Sequence, residues 1–336
     1  MRAIQITEAG GPDVLTPVDI PEPEAGPGEL LVEVAAAGVN YIDTYQREGI
    51  YPMSLPYVPG LEGAGRVLAV GPDVTEFAVG DRVAWSETLG TYAERVAVPA
   101  AKAVPVPDGV SDEAAVGALL QGMTAHFLVH DTFPVAEGET VLLHAAAGGV
   151  GLLLTQMLTA RGVRVIATVS TAEKAALARG AGAAEVINYS EVGSADSASA
   201  KESASARVAA AVRALTDDEG VAVVFDSVGR TTFDASLASL RRRGALVLFG
   251  AASGPVPPVD PQRLNAAGSI FFVRPKLFDF VVTREELTTR AAAVYAAVAD
   301  GTLDVRIGHR YPLAEARTAH EDLQGRRTTG KVLLVP

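Results

Sequence analysis

Hydrophobic positions change their rhythm near residue 140. Before residue 100 they fall in short runs between proline and glycine turns, over 30–35, 65–70, 82–85 and 92–98. This spacing predicts a β-rich domain. Pro105, Pro107 and the Asp108-Gly109 pair mark a connector, and a helical pattern opens at Ser111 with Glu113 close behind as capping residues. From about Thr140 the apolar runs lose their alternation: 140–144, 164–169, 185–187, 221–225, 245–249 and 269–273 are β-branched or aromatic and nearly unbroken. Strands covered on both faces have this texture, so the pattern predicts a parallel, doubly wound α/β sheet with helices over 149–161 and 172–179. A long helical stretch at 283–299 and an apolar run at 331–335 follow, and these are predicted to return to the first domain. The expected division is 1–122 with 274–336 for one domain and 123–273 for the other. Residues 190–205 are almost all Ser, Ala, Gly and small charges, too poor in apolar groups to offset the entropy of ordering; they predict a flexible insertion.

Composition narrows the partners. A net charge of −12, with no basic cluster longer than Arg241-Arg242-Arg243, argues against a nucleic-acid partner. Cysteine is absent, which removes disulfides, thiolate nucleophiles and Cys-bound zinc together. The first ten residues lack the basic and apolar regions of a secretion signal, and the apolar stretch at 141–158 is broken by His144, glycines and Gln156, so neither secretion nor a membrane span is predicted. A cytoplasmic location is the expectation.

The strongest chemical signal is the segment 141–151, Val-Leu-Leu-His-Ala-Ala-Ala-Gly-Gly-Val-Gly: an apolar strand, a turn of small residues and the start of an apolar helix. Ala146, Gly148 and Gly151 stand at the three positions of a G-x-G-x-x-G fingerprint, where small residues let a pyrophosphate approach backbone N–H groups at the positive end of a helix. The next strand ends Thr168-Val169-Ser170-Thr171, without the acidic residue that holds an NAD ribose; hydroxyls and Lys174 instead suit a 2′-phosphate, hence NADPH. Glu173 reads as a first-turn helix residue.

Across nearly its whole length the chain resembles the zinc-free quinone oxidoreductase (zeta-crystallin-like) branch of the medium-chain dehydrogenase/reductase superfamily. The carriers are 10–15 (Gly-Gly-Pro-Asp-Val-Leu), 38–45 (Gly-Val-Asn-Tyr-Ile-Asp-Thr-Tyr), 49–52 (Gly-Ile-Tyr-Pro), 59–65 (Pro-Gly-Leu-Glu-Gly-Ala-Gly), 79–83, 144–151, 226–230 and 329–331. Asn40 and Gly60-Leu61-Glu62 stand where zinc alcohol dehydrogenases carry Cys and Gly-His-Glu. The helical pair His126 and His130 lacks a third ligand in any recognisable motif and reads as structural.

The resemblance implies a Rossmann domain inserted in a β-rich GroES-like catalytic domain, and a set of contacts. Asn40 is expected near the nicotinamide ribose, Ala147, Gly148, Gly149 and Val150 at the pyrophosphate, and Ser170 and Lys174 at the 2′-phosphate. Tyr189 and Arg326 are expected by the adenosine, and Phe249, Gly250, Ser253, Phe272 and Arg274 along the nicotinamide. The catalytic candidates are Tyr45 and Tyr51, to bond the substrate carbonyl or line its pocket, and Asn40, to hold the cofactor, while Asp43 reads as structural. The activity implied is hydride transfer from NADPH to a quinone or related conjugated carbonyl without zinc. An enone or enoyl reductase and a non-catalytic NADPH-binding protein are the alternatives. A short-chain reductase is disfavoured, because no Tyr-x-x-x-Lys occurs. Relatives also imply a homodimer, with 269–273 as the pairing edge.

Overall fold

The computed structural model describes residues 1–191 and 204–336. Most of the predicted flexible insertion, 192–203, therefore lies outside the described residues. The chain divides into two compact units, Met1–Met123 with Val281–Pro336, and Thr124–Phe280.

The first unit is built on a mainly antiparallel sheet of seven strands, centred on Glu29–Val39. Glu62–Val70 pairs along one side of this long strand, and Lys331–Val335 and Arg95–Pro99 pair with different stretches of its length. Arg82–Trp85 and Val104–Pro105 extend the sheet beyond Glu62–Val70, while Ile307–Pro312 lies parallel to Lys331–Val335 at the other end. The final apolar run thus closes onto a strand almost three hundred positions earlier. Alternation explains the arrangement: Leu30, Val32 and Val34 are buried in a common core with Val67, Val83, Trp85 and Val98, while Glu33 points away. Arg2–Gln5 and Thr16–Asp19 form a separate two-stranded ribbon. The helix Asp112–Phe127 starts as expected, with Ser111 Oγ accepting from the Ala114 N–H at 3.1 Å. Thr283 and Glu286 form a reciprocal capping box at the start of Arg284–Ala299.

The second unit contains a six-stranded, wholly parallel sheet. Its spatial order is Glu185–Asn188, Arg164–Val169, Thr140–Leu143, Val221–Asp226, Leu240–Leu248 and Phe271–Val273. Numbered by appearance within the unit this is 3-2-1-4-5-6, the doubly wound Rossmann order. Its direction of winding reverses between Thr140–Leu143 and Val221–Asp226, and in such sheets ligands bind beyond the carboxyl ends of the strands at that reversal. Leu142, Ile166, Val224 and Leu246 fill the core, so every residue of Val221–Asp226 is buried. Strand six is an edge, with Phe271 and Val273 exposed.

Candidate functional site

The reversal point carries the cradle. The strand Thr140–Leu143 ends at His144, and the chain turns through Ala145, which takes the left-handed φ of +54°, into the helix Gly149–Ala160. No side chain caps this helix at Gly148. A Cβ on Gly151 would lie 2.5 Å from Ala145 O and 2.8 Å from the Ala146 backbone, so only glycine lets helix and turn pack this closely. Gly148 is tighter than usual, at 3.3 Å from Ala145 O. The fingerprint positions thus serve different ends: Gly151 closes the packing, and Ala146 and Gly148 keep the helix terminus unobstructed.

A buried polar network ties the two sides of the reversal together. His144 Nδ1 lies 2.9 Å from Thr168 Oγ1 and its Nε2 lies 3.1 Å from Ser236 Oγ. Ser236 Oγ donates to Asp226 Oδ2 at 2.7 Å, so its oxygen accepts from His144 Nε2–H and the other ring nitrogen accepts from Thr168. Burial lowers the His144 pKa and keeps the ring neutral in this tautomer. Asp226 Oδ1 accepts from the N–H groups of Val228 and Gly229, at 2.8 and 3.0 Å. Three carboxyl strand ends are thereby fixed relative to the cradle. Sequence reasoning did not find this network, because it joins His144, Thr168, Asp226 and Ser236 across four elements.

Ser170 follows the strand Arg164–Val169 and is half-buried; Thr171 caps the next helix, accepting from the Lys174 N–H at 3.2 Å. Glu173 lies in that helix's first turn, as its position implied. Tyr189 is half-buried after Glu185–Asn188 and donates its N–H to Val169 O. Phe249 and Gly250 follow Leu240–Leu248, and a Cβ on Gly250 would collide with Ser227 O. Ser253 is spent on local structure: its hydroxyl donates to Val228 O and accepts from Thr231 N. The Phe272 ring packs edge-on to Phe233 at 5.8 Å, within the core, and exposed Arg274 donates to Pro275 O.

The remaining candidates lie in the first unit. Arg326 has a φ of +58° and is exposed after the helix Ala316–Gln324. Asn40 precedes the short helix Tyr41–Arg47, whose Tyr45 meets Tyr51 edge-on at 5.6 Å. Tyr51 N–H also donates to Tyr45 O, and Tyr51 is 42% exposed with Ile50 and Leu55 beside it in sequence. The structure therefore brings Tyr45 and Tyr51 into contact, with Tyr51 exposed.

Beneath Asn40 lies a buried charge cluster. Lys331 and Glu62 form an ion pair with side-chain exposures of 2% and 0%. Lys331 Nζ also donates to Asn40 Oδ1 at 3.0 Å, and Asn40 Nδ2 donates to Glu62 Oε2 at 3.0 Å and to Gly38 O at 3.3 Å. Gln121 Nε2 supplies a second bond to Asn40 Oδ1. Glu62 Oε1 accepts from Leu120 N–H at 2.9 Å, which pins the helix Asp112–Phe127 to the cluster. Gly38 makes room, since a Cβ there would lie 2.7 Å from Lys331 Nζ and collide with Glu62.

A second buried chain runs from Arg47 to Asp43. Arg47 Nη1 donates to His320 Nδ1 at 3.0 Å, His320 Nε2 lies 3.1 Å from the Tyr92 hydroxyl, and that hydroxyl donates to Asp43 Oδ2 at 2.9 Å. Because Arg47 can only donate, His320 must carry its proton on Nε2, and the whole chain points toward Asp43. Asp43 Oδ2 also accepts from Asn40 N–H at 2.8 Å. Burial pushes the Asp43 carboxyl up to about 7 and, with Arg47 nearby, holds His320 down at about 3.

These residues do not fit a zinc ion. Among the described residues no three His, Cys, Asp or Glu side chains gather as metal ligands. Asn40 and Glu62 bond each other directly, and the Lys331 ammonium bonds both. His126 and His130 stack at 4.1 Å between centroids, and both His130 nitrogens are engaged, by His126 O and Arg161.

Two family models match: an alcohol dehydrogenase GroES-like domain over residues 26–108 and a zinc-binding dehydrogenase over 149–295. A quinone oxidoreductase of Pseudomonas aeruginosa is 44% identical over 100% of this chain and 99% of its own length. Among solved structures, a mycobacterial protein in complex with NADPH is 54% identical with a TM-score of 0.94, each chain fully covered. The quinone oxidoreductase of Escherichia coli, also in complex with NADPH, is 39% identical with a TM-score of 0.93, again with full coverage of both. With such identity over the full length, the chain belongs to the quinone oxidoreductase branch of the medium-chain dehydrogenase/reductase superfamily.

Proposed function

We propose that this protein is an NADPH:quinone oxidoreductase that works without zinc. The observation that carries the reading is the unobstructed helix terminus at Gly148–Gly151, at the reversal of a 3-2-1-4-5-6 sheet. Ala147, Gly148, Gly149 and Val150 would hold the pyrophosphate. Ser170 and Lys174 would take the 2′-phosphate, because the strand end offers hydroxyls and a cation in place of an acid. Tyr189 and Arg326 are assigned to the adenosine, and Phe249, Gly250, Ser253, Phe272 and Arg274 to the nicotinamide path, Ser253 and Phe272 through backbone or ring edge given their other contacts. Asn40 is assigned to the nicotinamide ribose.

Bound NADPH supplies the hydride that reduces a quinone to its hydroquinone, a product whose anion is stable enough to need no strongly tuned acid. The protein's part is geometry and a polar cradle. Tyr45 and Tyr51, whose rings meet edge-on, would bond the substrate carbonyl or line its pocket. We place the protein in the cytoplasm as a homodimer joined through the exposed edge Phe271–Val273, the kind of strand that soluble proteins cover. No helix among the described residues is long and apolar enough to cross a membrane.

Steady-state rates with NADPH against a panel of quinones and enones test the assignment. Higher kcat/KM on quinones is expected; turnover of enones alone would make it an enone reductase, and cofactor binding without turnover on either would make it a non-catalytic binder.

A further inference from the structure

Two stretches of the second unit follow the carboxyl ends of its strands and are assigned to different parts of one ligand, the cradle to the pyrophosphate and 249–253 to the nicotinamide. Each has its own main-chain anchors. The cradle's turn is stapled to the strands on either side of it: His144 N–H donates to Phe225 O at 3.0 Å and Ala146 N–H to Thr168 O at 3.3 Å. The stretch 249–253 is zipped to the turn after Val221–Asp226, with Phe249 N–H donating to Asp226 O at 2.8 Å and Ser253 N–H to Val228 O at 2.8 Å.

Asp226 belongs to both. Its Oδ1 accepts from the Val228 and Gly229 N–H groups and so shapes the turn on which 249–253 is zipped, while its Oδ2 accepts from Ser236 Oγ. Ser236 leads on to His144, the residue at the mouth of the cradle, and His144 to Thr168, whose carbonyl already holds Ala146. A carboxylate can only accept, so the protons run one way: Thr168 to His144 Nδ1, His144 Nε2–H to Ser236, Ser236 to Asp226. His144, Thr168, Asp226 and Ser236 are each at most 2% exposed. Buried networks with every member bonded rigidify the elements that they join.

We infer that Asp226, Ser236 and His144 are positioning residues that hold the cradle and the 249–253 stretch in one register, matched to a ligand that spans both. The inference rests on the NADPH reading above and concerns how the two halves of that site are kept in step. Loosening the register weakens a ligand that must engage both stretches at once and leaves one that engages a single end as it was.

Fluorescence titration of the full-length protein tests this, using NADPH and adenosine 2′,5′-bisphosphate, which carries the adenosine phosphates without the nicotinamide riboside. Ser236→Ala cuts the chain between His144 and Asp226 and is expected to raise the Kd for NADPH about tenfold with the bisphosphate Kd unchanged. His144→Phe gives the same comparison if the alanine variant folds poorly. A purely structural role would lower the melting temperature and leave the ratio of the two Kd values as in wild type. Asp226→Asn adds a spectroscopic signature: its carbonyl keeps Val228 and Gly229, its amide donates to Ser236, the serine hydroxyl turns to His144 Nε2, and the imidazole proton moves to Nδ1. Nitrogen-15 spectra of the histidine side chains read that move. A proton that stays on Nε2 in Asp226→Asn, an unchanged NADPH Kd in Ser236→Ala and His144→Phe, or equal weakening of NADPH and the bisphosphate would overturn the inference while leaving the cofactor reading intact. Failure of wild type to bind either ligand would remove both.

Discussion

The hydroxyl of Tyr92 donates to Asp43 Oδ2 at 2.9 Å, at the end of a directed chain that begins at Arg47 and passes through His320. The relationship sets an unusual pH balance. Asp43, normally near 3.8, is pushed up to about 7 by burial, so its contribution to stability is present at low pH and lost as pH rises between about 4 and 7. His320, normally near 6.5, is held at about 3, so its contribution is present above 6.5 and lost as pH falls toward 3. Across the shared window the two oppose each other. Asp43→Asn removes one side, and the melting temperature of that variant is expected to climb more steeply with pH between about 4 and 6.5 than that of wild type. Parallel profiles from calorimetry at several pH values would show that Asp43 titrates normally.

The ion pair of Lys331 and Glu62 is almost fully buried, so removing one partner strands a charge. Lys331→Met is expected to cost about 3–5 kcal/mol in denaturant unfolding, and adding Glu62→Gln should recover a substantial part of it. A double variant no more stable than the single one would mean that packing, not charge, dominates.

Gly151→Ala places a methyl group 2.5 Å from Ala145 O, against backbone that cannot give way cheaply. Overpacking of this kind is expected to cost about 1–3 kcal/mol and to weaken NADPH binding along with it. Gly180→Ala, where a Cβ meets nothing within 4 Å, is the control and should neither destabilise the fold nor weaken NADPH binding.

Much of the second unit was legible because its strands carry unbroken β-branched runs. Arg164–Val169 and Arg82–Trp85 coincide with their predicted bounds, and Lys331–Val335 returns to the first sheet as expected. Ile307–Pro312, with Gly308, His309 and Arg310, has no apolar alternation to betray it; it is held by pairing with Lys331–Val335, a tertiary effect. Leu240–Leu248 begins five residues before the predicted run because Arg241, Arg242 and Arg243 disguise its first half. The cradle could be read from one contiguous segment. The cluster of Asn40, Glu62, Gln121 and Lys331 could not, since four segments meet there and Lys331 reads in sequence as one charge after a glycine.

Tyr51 is exposed and its ring is braced by Tyr45, so loss of its hydroxyl leaves the fold alone. If it bonds the substrate carbonyl, Tyr51→Phe lowers kcat/KM on quinones by about tenfold with an unchanged melting temperature. Undiminished turnover on every accepted quinone would remove the hydroxyl from the mechanism and leave the ring as a wall.

Lys174 lies in the first turn of the helix capped by Thr171. The most direct test of the central claim, that the cradle at the sheet's reversal takes a 2′-phosphorylated cofactor, is a calorimetric titration of the purified protein with NADPH and with NADH. Saturable binding of NADPH, tighter than that of NADH by about tenfold or more, is expected. Equal or tighter binding of NADH, or no heat with either, would contradict it.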